Sequence, residues 1–151
     1  MSMWGPGPGD NDDAADWLAD LADEPAISAL NEALDQVLDA DEGEYLEVTE
    51  GALAVASAAL VMSLLAANDA SNLLDDQGVD RLREQIKALD PGAVSSLAWR
   101  AGRALRKVAC TDCSELAQLL EDEPDWVEPW RRHLQSLIER LDGFRGRLPP
   151  A

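Results

Sequence analysis

The stretch MSMWGPGPGDNDDAADW sets four carboxylates, Asp10, Asp12, Asp13 and Asp16, within seven residues of one another. Carboxylates at that density can hold magnesium or manganese and polarise a phosphoryl oxygen. A calcium loop needs Gly at its sixth position and Glu at its twelfth. Counted from Asp10, those places hold Ala15 and Leu21, so the calcium loop fails. A looser metal site on Asp10, Asp12, Asp13 and Asp16, serving a metal-dependent enzyme, is the chemical reading that remains. The competing reading is local. Asp10 or Asn11 as helix N-cap accepts a bond from a free backbone N–H two or three residues on. Asp12 and Asp13 then face the positive end of the helix dipole. That accounts for nearly every oxygen without a metal, and it is the simpler account.

The other reactive residue types are sparse. Cys110-Thr111-Asp112-Cys113 is a C-x-x-C, a spacing used by redox dithiols and by half of a zinc site. No second cysteine pair exists and His133 is the one histidine, so a closed zinc site would need an unusual ligand set. A thioredoxin-type motif belongs in a βαβ context, for which no segment here alternates like a strand. Two packed thiols at a helix junction is the expectation. His133, beside Arg131 and Arg132, reads as a surface residue on the polar side of the last long helix. Arg100, Arg103, Arg106 and Lys107 form the densest basic face and are expected to pair with carboxylates of the N-terminal half.

Before the acids stands Trp4-Gly5-Pro6-Gly7-Pro8. Its glycines permit positive φ and close backbone approach, and Trp4 is expected to fold back as a lid on the first helix. A phosphate-binding Gly loop would need a preceding strand and a Lys, and neither is present.

These residues must be positioned by helices. Apolar residues recur at helical intervals throughout: Ala14, Trp17, Leu18 and Leu21 predict a helix from about 12 to 22. Pro25 suits a first helical position and predicts a second helix ending near Asp39. The run ALAVASAALVMSLLAA predicts an Ala-rich helix at about 50–67, apolar nearly all round and so central. It is short and weakly hydrophobic for a membrane span, which needs about 20 residues. Further helices follow at Val79–Leu89 and about 92–110. Thr111 or Asp112 is expected to cap a short one, and Pro124 and Pro129 bracket the start of a last one ending near Asp142. The expected fold is an all-α, single-domain bundle of six or seven helices around the Ala-rich helix. It spans residues 1–142, with a flexible tail at 143–151.

Charge narrows the partners. Thirty acids against 12 bases give a formal net charge of −18. Residues 1–80 hold 19 Asp or Glu and no Lys or Arg, whereas all 12 bases lie beyond them among 11 acids. Nucleic acid and anionic membranes are repelled by such a half, and a basic protein is drawn to it. Asp35, Asp39, Asp41, Glu42 and Glu44 are the candidate partner-binding acids. The chain opens with no cationic segment leading into an apolar one, so no signal peptide is read. With two cysteines, the expected location is a reducing cytoplasm.

The pattern Trp4-Gly5-x-Gly7-x-x-Asp10-Asn11-Asp12-x-Ala14-x-Asp16 resembles the opening of the bacterial domain of unknown function family 4259. Members begin Met-Gly-x-Trp-Gly-x-Gly-x-Phe-Asp/Glu-Asn-Asp. Ser114-Glu115-Leu116, Trp126 or Trp130 and the Leu137–Leu141 helix resemble its C-terminal part. Ser2 stands where the family has Gly, and Gly9 stands where it has Phe. The resemblance implies a small, mostly helical bacterial protein and no particular activity. The residues themselves point to a non-enzymatic binding protein without a cofactor, on the lines of an immunity protein or antitoxin.

Overall fold

The computed structural model describes residues 2–41, 43–66 and 73–145. Among them the chain forms seven helices: α1 (Asp12–Asp23), α2 (Ile27–Leu38), α3 (Val48–Leu65), α4 (Asp76–Lys87), α5 (Pro91–Val108), α6 (Glu115–Glu121) and α7 (Pro124–Arg145). The fold is all-α, a helical bundle centred on α3, which packs against every other helix. Extended pairing among the described residues is confined to two isolated bridges, Met3 with Asn11 and Leu46 with Ser114.

Helix α3 occupies the centre because it has no polar side to turn to water. Ala54, Ala56, Ala58, Leu60 and Val61 are fully buried although they point in all directions around the axis. Small alanines let the neighbouring helices approach closely. By length and composition α3 would also cross a membrane, with a mean hydropathy of 1.8, but 72% of it is buried inside the bundle. Two buried serines, Ser57 and Ser63, interrupt its apolar run, and the Ser57 hydroxyl donates to the Leu30 carbonyl at 2.9 Å, as a buried hydroxyl must.

The outer helices each contribute one apolar stripe. On α5 the residues Val94, Leu97, Ala98, Ala101, Leu105 and Val108 are buried. On α7 Trp130, Leu134, Leu137, Ile138 and Leu141 are buried. Helix α1 buries Ala14, Leu18 and Leu21, with Trp17 half-covered beside them.

Several helix limits differ from the sequence expectation, and contacts distant in sequence explain most of them. Helix α2 begins at Ile27 rather than Pro25. Its N-cap, Ala26, has no side-chain oxygen, and Gln85 of α4 does the capping. The Gln85 Oε1 accepts from Ile27 N at 2.8 Å and its Nε2 donates to Pro25 O at 2.8 Å. Helix α3 begins at Val48, whose N–H donates to Glu115 Oε1 at 2.8 Å. Helix α6 is capped by Ser114, whose Oγ accepts from Ala117 N, and neither Thr111 nor Asp112 serves. Helix α4 begins at Asp76 with Asp75 as cap. Helix α7 runs through Pro129 without a break and on to Arg145, three residues past the expected end. Residues 146–151 of the expected tail lie outside the described residues.

Candidate functional site

Three of the four N-terminal carboxylates, Asp10, Asp12 and Asp13, are engaged in hydrogen bonds of their own. Asn11, not Asp10, is the N-cap of α1: its buried Oδ1 accepts from Ala14 N at 2.8 Å. Asp12 Oδ1 accepts from Ser2 N at 2.8 Å, tying the first residues onto the helix start. Asp13 Oδ2 accepts from the Thr49 hydroxyl at 2.8 Å and joins α1 to α3. Asp16 faces solvent. Among the described residues, no group of three or more His, Cys, Asp or Glu side chains is arranged to hold a metal ion.

Asp10 has a different task. Its Oδ2 accepts from Gly7 N at 2.9 Å, while Trp4 N donates to Asp10 O at 2.9 Å. A Cβ on Gly5 or Gly7 would lie 2.5 or 2.6 Å from Asp10 Oδ2. Close approach therefore explains these two glycines, and positive φ does not, since among the described residues only Gly43 has one. The bridge between Met3 and Asn11 puts Met3 against the core, and in extended chain the next residue points the other way. Trp4 is accordingly 56% exposed. It is no lid on α1, as the sequence suggested; Met3 holds the inward position.

Acidic and basic residues meet at one end of the bundle. Lys107 Nζ donates to Ala40 O at 2.7 Å and lies 3.4 Å from the carbonyls of Val37 and Leu38. A cation at the negative end of α2 is favourable both as a hydrogen-bond donor and against the helix dipole. Arg100 pairs with Asp35 and also bonds Asn31. Arg106 pairs instead with Asp142 of α7, and Arg103 stacks over the Trp99 ring at 5.2 Å. Of the four cations expected to pair with N-terminal carboxylates, Arg100 does so in an ion pair.

The other candidate acids lie around a cavity of about 550 Å³ between the α2–α3 connection and the end of α5. Asp39, Asp41 and Glu44 line it on one side, and Arg103, Arg106 and Lys107 on the other. Asp41 N donates to Glu44 Oε2 at 2.9 Å, closing the turn in which Gly43 has φ +85°. Glu42 lies outside the described residues. Glu50, in the first turn of α3, is held above the usual carboxylate range by burial and then by repulsion from Glu47 and Glu44.

Cys110 and Cys113 stand on the wall of the same cavity, as free, half-buried thiols in the turn between α5 and α6. The Cys113 thiol donates to Cys110 Sγ at 2.8 Å. That bond holds Cys110 below the ordinary thiol range and pushes Cys113 above it. Leu46 N donates to Cys113 O at 2.7 Å, and Glu115 N donates to Leu46 O at 2.9 Å, fixing the turn to the acidic connection.

His133 is not on the outer polar side. It is half-buried on the wall of a second cavity, of about 720 Å³, shared with Leu18, Ser63 and Leu137. Its place on α7, three residues after Trp130 and four before Leu137, puts it at the flank of the buried stripe. Gly9 also lines this cavity.

The profile of the family described as Domain of unknown function (DUF4259) matches residues 2–133. The chain belongs to the DUF4259 family. The match takes in the Trp-Gly turn, the Asn11 cap, the α3 core and both cysteines. No curated protein and no solved structure matches the chain.

Proposed function

We propose that this DUF4259 chain is a non-enzymatic binding protein of the cytoplasm whose acidic N-terminal half meets a basic protein. The mode of action would be that of an immunity protein or antitoxin, with carboxylates covering a cationic cleft on the partner. The observation that carries the proposal is the outward aim of acids lacking internal use. Asp16, Asp20, Asp23 and Glu24 are exposed on or just beyond α1, and Asp39 and Asp41 are exposed after α2. Among the described residues ion pairs join Arg100 to Asp35, Arg106 to Asp142 and Arg131 to Glu121, and of these three the first draws on the acidic half. Like charges left facing water raise the folded state's self-repulsion. They also steer an oppositely charged partner and speed its association.

The test is affinity capture from the source cell with the tagged full chain, at low and at high salt. A basic protein should be retained at low ionic strength and released as screening shortens the reach of the charges. A variant carrying Asp16→Asn, Asp20→Asn and Asp23→Asn should retain less of it. Capture of nothing basic at any salt, or capture indifferent to both salt and substitution, would refute the proposal.

A further inference from the structure

We propose that Cys110 and Cys113 form a thiol–disulfide exchange site for low-molecular-weight disulfides, with Cys110 the attacking thiol and Cys113 the resolving one. The two sulfurs are already 2.8 Å apart, and a covalent S–S bond is about 2.05 Å. The turn that carries them is pinned at both ends, by Cys110 N on Lys107 O and by Leu46 N on Cys113 O. Closing the bond thus needs rotation of two side chains and no unfolding of α5 or α6. Both thiols are partly exposed and open onto a cavity of about 550 Å³. Arg103 and Arg106 on one side and Asp39 and Glu44 on the other suit a small molecule bearing carboxylate and ammonium groups together. The roles follow from the hydrogen bond. The sulfur that accepts is the one whose thiolate is stabilised, and the thiolate is the nucleophile.

The exchange balances without any further reagent. The Cys110 thiol releases its proton, and the thiolate attacks one sulfur of the small disulfide R–S–S–R. The S–S bond breaks, RS⁻ leaves and takes up that proton, and Cys110 carries a mixed disulfide. Cys113 then loses its proton and attacks the Cys110 sulfur, expelling a second RS⁻ that is protonated in turn. The protein loses two protons and two electrons, and one small disulfide becomes two thiols.

The experiment treats the full chain with oxidised glutathione and reads intact mass and alkylatable thiols. The wild-type chain should lose both thiols together, with a mass lower by two hydrogens and no disulfide between chains. Cys113→Ser should accumulate a stable glutathione adduct on Cys110. Cys110→Ser should form its adduct on the order of tenfold more slowly. Persistence of both wild-type thiols in excess oxidised glutathione, or oxidation to a covalent dimer, would overturn the site. Equal adduct rates in the two variants would overturn the roles assigned to the thiols. The wild-type measurement decides the site even where a variant folds poorly.

Discussion

The Asp10 carboxylate fills the space that a side chain on Gly5 would need: a Cβ built there lies 2.5 Å from Asp10 Oδ2. The carboxylate is itself fixed by the bond from Gly7 N, so it has little freedom to retreat. Gly5→Ala should therefore destabilise the protein by about 1–3 kcal/mol, the usual cost of overpacking. Asp10→Ala in the same chain should recover part of that loss, because it empties the contested space. Denaturant melts of the two single variants and the double variant measure the coupling. Strict additivity would mean that the two residues do not compete.

Asn11→Ala should cost about 1–2 kcal/mol, the range for a lost N-cap. The upper part of that range is expected because Asn11 is only 5% exposed and water cannot take over the Ala14 N–H. Asp16→Ala, on the solvent face of the same helix, should leave stability within about 0.5 kcal/mol of wild type. Equal losses in the two variants would contradict the assignment of the cap.

Lys107 and Arg106 are neighbours with different duties. Lys107→Met keeps the aliphatic stem but removes the donor to Ala40 O, and should lose about 1.5–3 kcal/mol, the range for hydrogen bonds involving a charged group. Arg106 pairs with Asp142 where both side chains are about half exposed. Arg106→Ala should cost less than about 1 kcal/mol, as exposed pairs do. Thermal unfolding of both variants in one buffer distinguishes the two, and a larger loss for Arg106→Ala would reverse the ranking.

Glu50 gives a pH dependence of defined sign. Its carboxyl is raised by burial and by Glu47 and Glu44, so the folded protein holds the Glu50 proton more tightly than the unfolded chain does. The stability this contributes is complete below the unfolded value, about 4.3, and is lost as pH rises through the folded value. Glu50→Gln should consequently melt above wild type at neutral pH, with the difference closing in acid. A difference that is constant with pH would dismiss this account.

Local signals made parts of this fold legible in advance. The helix expected at about 92–110 is α5, which begins one residue earlier at Pro91 with Asp90 as its cap. The uniform apolarity of residues 52–67 placed α3 at the centre for the same reason. The starts of α2 and α3 were not legible, because Gln85 and Glu115 do the capping from far along the chain. Ser, Thr and Asp all make good caps, and the choice of Ser114 rests on its pairing with Leu46, a contact between distant segments. In the candidate site, composition revealed the excess of acid. It could not reveal that Asp35 meets Arg100, or that Lys107 bonds carbonyls instead of carboxylates.

The central place of α3 bears on how the protein is made. A helix apolar on every side emerges from the ribosome before α5 and α7, the helices that will cover much of it, have been synthesised. Until they follow, α1 and α2 are the partners of α3 already made. The surplus of carboxylates on those leading residues keeps such chains apart by mutual repulsion during the wait. The charge that surrounds the finished molecule thus guards the unfinished one against clumping.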